Sequence, residues 1–364
     1  MDMDLVVQHL RQYNDRERIY KEYYDLRGDP AAQEQLARRY MQNDTLHTRR
    51  GMIDKWLFFP EVFPDQTPQD LFFSDELFFD PSADVMVLKH DRYTPLFTHT
   101  HTIFEISYVL TGACQQHIAG GDLRLKEGDL RLKEGDFCFI ALETPHSIGV
   151  FDDSIVLNIL LKKNTFDDIY MHALRNKSVL TSFFFDSLYD EYKTDYIIFH
   201  TGDDLNIRDL LLDMYVEQFE WDEYSNNQLT CMMSILLSRL MRGYAKTAEL
   251  PVSRKKDNSI RIEILNYLQN NYRTATLPDM AEYFHYSTSY CSRLIKESTG
   301  RTFAVLLQDI RLRQAEALLR TSNAGIEQIS TRVGYENPES FSRAFKKQRG
   351  LTPTQFREQE QKEP

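Results

Sequence analysis

Four side chains between residues 99 and 146 have the chemistry of ligands: His99, His101, Glu105 and His146. On a strand, residues two apart point to the same side, so His99 and His101 face one way, as two ligands of one centre must. Three imidazoles and one carboxylate suit iron, manganese, nickel, copper or zinc. The same four groups would equally hydrogen-bond an organic effector, or one another. A second set of residues suits a polyanion. Two helix-turn-helix patterns lie in tandem in the last hundred residues, one over Thr276–Gly300 and one over Gly325–Gly350. Each has a short helix of apolar periodicity, a turn, and a second helix rich in Ser, Arg and Lys. Such a helix lies in the DNA major groove and presents polar side chains to base edges.

The local signals place these residues. Pro278 falls in the first turn of a helix, Ser287 and Asn337 are natural N-caps, and Pro338 follows the second cap in the favoured first position. Phe341 and Phe345, four apart, are expected to anchor the second recognition helix inward, leaving Glu339, Ser340, Ser342, Arg343 and Lys346 outward. In the first unit Tyr290, Leu294 and Ile295 are expected inward, leaving Thr288, Ser289, Ser292, Arg293 and Lys296 for DNA. Arg293 and Arg343 are expected to reach bases or phosphates, and Lys296, Lys346 and Lys347 to sit on phosphates. A helix from Thr302 to Arg320 joins the units and is expected to hold them roughly 34 Å apart, one turn of duplex.

Upstream, the period of apolar residues changes from helical to two and back. Residues 1–60 read as a helical extension of two or three helices, broken at Gly28-Asp29-Pro30. Residues 61–165 hold short strand candidates at 85–89, 105–110, 115–118, 137–140 and 155–160, separated by Gly- and Pro-bearing turns; this predicts a small β-barrel or jelly roll. Residues 166–250 return to helical spacing. There Leu229, Met232, Met233, Leu236, Leu237, Leu240 and Met241 make an apolar face too broad to stand in water, which predicts a homodimer contact. Residues 251–258 form a polar linker and 259–358 the double helix-turn-helix domain. The fold class is therefore α+β and multidomain: a β-barrel with flanking helices, then an all-α domain.

One heptapeptide, Asp122–Gly128, is repeated without change as Asp129–Gly135. A shift of seven puts the second copy on the opposite face of a continuous strand, so only one copy fills a given strand position. Either can do so. The plain expectation is a longer surface hairpin; the sharper one is two competing registers.

The chain has 364 residues, 42% of them hydrophobic and 27% charged, in the range of a soluble multidomain protein. Its net charge of -12 is unevenly spread: from Arg254 onward 18 Lys/Arg face 13 Asp/Glu, a net of +5, whereas residues 1–253 carry 25 against 42, a net of -17. A basic end on an acidic body draws DNA to one part of the chain. Cys114, Cys138, Cys231 and Cys291 have no metal-type spacing, which predicts reduced thiols. With no apolar segment of membrane length and an acidic start, the expected location is cytoplasmic, with no membrane partner.

The density of matching positions over Ser259–Arg357 resembles the AraC/XylS family of bacterial transcription regulators. It includes Ala281, Ser287, Ser292-Arg293-Leu294, Gly300 and Phe303, then Arg311 and Ala315, then Val333-Gly334-Tyr335, Asn337, Phe341, Ser342-Arg343, Gly350, Pro353 and Arg357. Ile295 stands where the family usually has Phe. Residues 84–162 are similar to a cupin sensor: His99-x-His101-x3-Glu105-x6-Gly112 has the spacing of the first cupin motif, and Gly135-x10-His146 places a histidine as in the second. That second motif is incomplete at Ala141, Glu143 and Val150. The resemblance implies convergence of His99, His101, Glu105 and His146 on a divalent metal or around a small organic effector, plausibly a sugar. It implies double-stranded DNA and RNA polymerase as partners, and favours activation. A metal-dependent enzyme tethered to DNA is the alternative, and a ligand-free scaffold the blandest; the absence of further recognisable acid–base residues argues for no enzyme.

Overall fold

The computed structural model describes residues 3–42, 59, 62, 71–74, 79, 82–118, 128–166, 169, 196–249, 263–264, 267–268, 270–299 and 301–360. It divides into two compact units, one holding Met1–Ile169 with Thr194–Ser253 and the other running from Arg254 to the end together with Tyr170–Lys193.

In the first unit three helices, α1 (Met3–Arg11), α2 (Asp15–Asp25) and α3 (Pro30–Gln42), precede ten strands. The strands are β1 (Leu71–Phe73), β2 (Val85–Lys89), β3 (His99–His101), β4 (Phe104–Thr111), β5 (Ala113–Ile118), β6 (Gly128–Lys133), β7 (Asp136–Ile140), β8 (His146–Gly149), β9 (Ile155–Leu161) and β10 (Tyr196–His200). They form two five-stranded sheets, β1-β3-β8-β5-β6 and β10-β7-β4-β9-β2, antiparallel except for β1 with β3. One buried cluster joins Cys114, Ile118, Leu132 and Ile148 of the first sheet to Val109, Cys138, Ile140, Val156 and Ile198 of the second. The sheets therefore face each other across a shared core, the jelly-roll form of the sequence expectation.

The N-terminal extension is clamped to the strands by charge. Asn14 caps α2 in a capping box with Glu17. Glu17, fully buried, accepts hydrogen bonds from Lys89 Nζ at 2.7 Å and Arg92 Nε at 2.8 Å. Burial alone would raise the Glu17 carboxyl; the bonds from Arg92 and Lys89 hold it below its ordinary value.

Two sequence expectations change here, and a third, left open, is decided. The stretch from residue 166 is not wholly helical: β10 completes the second sheet by pairing Ile197 with Phe139 and Ile198 with Cys138. Its Tyr-Ile-Ile-Phe-His sequence is too short to show a period. The apolar face of α5 (Ser225–Tyr244) is already covered. Leu229, Met233, Leu236, Leu237 and Leu240 are fully buried against α4 (Leu205–Phe219), β2 and β10 of the same unit, so that face is core rather than a dimer contact. Finally, the second heptapeptide copy supplies β6. Leu132 pairs with Cys114 and is buried, while Gly135 turns the chain at φ +82, where a Cβ would stand 2.2 Å from the Gly202 carbonyl oxygen. Most of the first copy, like the polar linker at 251–258, lies outside the described residues.

The second unit contains α6 (Leu277–Tyr283), α7 (Thr288–Thr299), the joining helix α8 (Phe303–Thr321), α9 (Ile326–Arg332), α10 (Pro338–Arg349) and α11 (Pro353–Glu360). Leu312, Ala315 and Leu319 of α8 pack with Ile329, Val333, Phe341 and Phe345. No helix among the described residues is long and apolar enough to cross a membrane.

Candidate functional site

The four ligand-type side chains meet between the sheets. His99 and His146 are register partners on β3 and β8, and Glu105 reaches across from β4. One donor atom from each of His99, His101, Glu105 and His146 lies within 4.8 Å of every other. Ligands about 2.1 Å from one ion stand about 3.4 Å apart in a tetrahedral site, so the widest pair would close by somewhat over an ångström.

The hydrogen bonds fix which nitrogens face the centre. His101 Nδ1 lies 2.8 Å from the Ile103 carbonyl and His146 Nδ1 lies 2.8 Å from the Thr144 carbonyl. A carbonyl only accepts, so each Nδ1 carries the proton and donates it. Each Nε2 then turns inward, 3.1 Å (His101) and 3.5 Å (His146) from the same carboxylate oxygen, Glu105 Oε2. In a neutral imidazole that Nε2 is a lone pair facing a negative oxygen, which a cation between them would relieve. Backbone acceptors on the outer nitrogen are also what orients metal-ligating histidines. Burial and the neighbouring His146 push the His99 imidazole down to about 3, keeping it neutral. These residues fit a divalent transition metal. Sequence reasoning missed Asn158, whose Nδ2 donates to Glu105 Oε1 at 2.8 Å. A polar residue at an inward position of an otherwise apolar strand was the available signal.

In the second unit the caps form as expected. Thr276 caps α6, with Pro278 in the first turn; the Ser287 hydroxyl accepts from the Tyr290 amide and Asn337 from the Glu339 amide. Phe341 and Phe345 are fully buried, so Glu339, Arg343, Lys346 and Lys347 stand exposed, with Ser340 and Ser342 half-buried beside them. On α7, Thr288, Ser289, Ser292, Arg293 and Lys296 are all exposed. One inward assignment is corrected: Tyr290 is 38% exposed, and Cys291 takes the core position together with Ile295. Cys291 and Ile295 are four apart, like Phe341 and Phe345, so the two recognition helices seat themselves by the same spacing. Tyr290 lies on the outer side, its ring 5.5 Å from the Arg293 guanidinium.

Other matched positions are structural. Arg311 donates to the Tyr272 carbonyl at 2.8 Å and Arg357 to the Ala324 carbonyl at 2.7 Å. Arg349, outside the matched set at the end of α10, pairs with Glu316 of α8. Gly334 has φ +90, and a Cβ there would meet the Arg273 carbonyl oxygen at 2.3 Å.

Residues 280–359 match the family model described as a helix-turn-helix domain. The raffinose operon transcriptional regulatory protein RafR of Pediococcus pentosaceus is 37% identical over 94 residues, 26% of this chain and 34% of that protein. The HTH-type transcriptional regulator YisR of Bacillus subtilis (strain 168) is 32% identical over 146 residues, 39% of this chain and 50% of that protein. Among solved structures, the C-terminal domain of AraT, a response regulator from Geobacillus stearothermophilus, is 36% identical; the match covers 29% of this chain and 88% of that one, with a TM-score of 0.28. The chain thus spans between a third and a half of the length of these two curated relatives.

Proposed function

We propose that this chain, whose C-terminal end is an AraC-type helix-turn-helix domain, is a sequence-specific, ligand-responsive DNA-binding transcription regulator with the two-sheet unit as its sensor. The observation that carries the reading is the pair of recognition helices. Each is seated by a buried i,i+4 pair and turns a mostly polar set outward, within Thr288–Lys296 on α7 and Glu339–Lys347 on α10. Arg293 and Arg343 read base edges, and the lysines neutralise phosphates. A homodimer and RNA polymerase complete the set of partners, and activation is the favoured outcome.

The sensor centre is His99, His101, Glu105 and His146, holding a divalent transition metal. The inward Nε2 atoms of His101 and His146 around Glu105 support that assignment over a purely organic ligand. Bound there, the metal would supply a positive charge and open coordination positions for an effector. The chain's part is to fix the imidazole tautomers and exclude water. Effector and DNA then influence each other through a coupling free energy.

The test is selection from randomised duplexes by the full-length, metal-loaded chain. An enriched motif with two half-sites, lost in an Arg293→Ala, Arg343→Ala double variant, is expected. Enrichment no different from an unrelated basic protein would overturn the reading.

A further inference from the structure

Beyond the four ligands, the space between the sheets holds polar groups that the protein itself leaves unsatisfied. On β4, Ser107 points the same way as Glu105, and its ladder neighbours are Asn158 on β9 and Cys138 on β7. From the facing sheet Gln116 enters the same interior, set between Cys114 and Ile118 on β5 and paired with Ile148 on β8. His90 follows β2 two residues after Leu88, the register partner of Asn158. Ser107 and Gln116 are fully buried. Ser107 Oγ, Gln116 Oε1 and Nε2, Asn158 Oδ1 and His90 Nε2 are buried without a hydrogen-bond partner.

A buried unsatisfied polar atom costs about 1–3 kcal/mol, so five in one interior are unfavourable unless something else satisfies them. Asn158 is the one residue of β9 that is only partly buried. The chemistry of the lining selects its occupant. Ser, Gln, Asn and His together both donate and accept, and none is a fixed charge. The cations of the surrounding strands, Lys89, Arg131 and Lys133, stand at the alternate, outward positions. A second carboxylate or a phosphate would find no counter-ion there, whereas hydroxyl groups match both donors and acceptors. At the centre, three neutral imidazoles and one carboxylate leave a divalent ion with one net positive charge, which a single anionic chelating group would neutralise.

We infer that the effector is a hydroxylated monocarboxylate: its carboxylate and α-hydroxyl chelate the ion held by His99, His101, Glu105 and His146, and its further hydroxyls are read by Ser107, Gln116, Asn158 and His90. This rests on the metal reading given above.

The full-length protein is loaded with Co(II), whose visible spectrum reports its ligands, and titrated with glycerate, lactate and malate. Lactate lacks glycerate's second hydroxyl, and malate carries a second carboxylate. Glycerate is expected to shift the Co(II) bands and to bind about tenfold or more tighter than either, the effect of one well-made polar contact. A Ser107→Ala, Gln116→Met double variant is expected to take up Co(II) with an unchanged spectrum and to lose the glycerate–lactate gap; Ser107→Ala alone, the smaller change, should narrow it. Equal binding of glycerate and lactate by the wild type, or a gap that survives in both variants, would overturn the assignment while leaving the metal centre standing. Failure of the wild-type protein to take up Co(II) would overturn both.

Discussion

His146 Nε2 stands 3.5 Å from Glu105 Oε2 across the space between the two sheets, with its Nδ1 anchored on the Thr144 carbonyl. The two residues come from strands that share no ladder, β8 in one sheet and β4 in the other. Whatever occupies the gap is therefore held by both sheets at once, and its loss removes a tie between them.

The first prediction follows from that tie. Protein purified without chelators or nickel resin should carry a transition metal in near-equimolar amount by mass spectrometry. His146→Ala should lose it, because it removes one Nε2 and leaves Glu105 Oε2 facing His101 alone. The thermal midpoint of the two-sheet unit should fall with metal removal in the wild type and not in the variant. Metal-free wild-type protein with full stability would refute the centre.

Glu17 sets a second test, and gives the N-terminal helices a role that their amphipathic spacing did not disclose. It binds Lys89 and Arg92, and Arg92 also donates to the Arg11 carbonyl at 3.1 Å while its guanidinium lies 3.8 Å over the Tyr13 ring. Removing one member of a buried ion pair strands the other, at about 3–5 kcal/mol. Glu17→Ala should cost that much in denaturant unfolding of the first unit. A loss under about 1 kcal/mol, the size of an exposed pair, would show that the clamp is open in solution.

The third concerns pH. His200 Nδ1 is 2.7 Å from Asp136 and Nε2 3.3 Å from Glu249, while Thr201 donates to the Gly135 carbonyl, so β10 is pinned to the turn before β7. Burial would lower the His200 imidazole, but the bond to Asp136 and the charges of Asp136 and Glu249 outweigh it and raise it above its ordinary 6.5. A raised folded value means that the contribution is fully present below about 6.5 and is lost as pH climbs through the folded value. Melting of the first unit should therefore weaken from pH 6 to pH 8, and His200→Gln should flatten that slope. An unchanged slope would assign the pH dependence elsewhere.

How far the sequence could be read depended on what each signal reports. Caps and i,i+4 pairs are local, so Ser287, Asn337, Phe341 and Phe345 take their expected places. The outward polar set follows from them. Tyr290 was misplaced because an aromatic and a cysteine one residue apart compete for the same inward slot, and Cys291 takes it. The His99-x-His101 spacing reports only that two rings share a side. That β8 delivers His146 beside them rests on a strand pairing that four residues of sequence do not display, so the expected convergence came from the motif resemblance and not from the local pattern. The α5 face was correctly seen as buried, but periodicity does not say what buries it. One of its three covering elements, β10, was itself hidden in a segment of helical spacing.

The last prediction separates base reading from charge. Arg343 is exposed on α10, its guanidinium 3.5 Å from the Ser340 hydroxyl, and the helix under it is held by Phe341 and Phe345. Truncating Arg343 leaves that seat intact, so Arg343→Ala should keep the wild-type circular dichroism and melting of the domain. If Arg343 reads a base, the variant should lose about 1–3 kcal/mol of affinity for the selected site and tolerate other bases at one position. Lys347, also exposed on α10, should behave differently. Lys347→Ala should weaken binding to selected and random duplex alike and lower the slope of log affinity against log salt by about one. The two variants bound to the same duplex panel at matched salt therefore distinguish the roles by shape as well as size. Wild-type affinity in Arg343→Ala would remove α10 from base recognition, whereas a uniform loss in both would make Arg343 a phosphate contact and leave α7, with Arg293, as the reading helix.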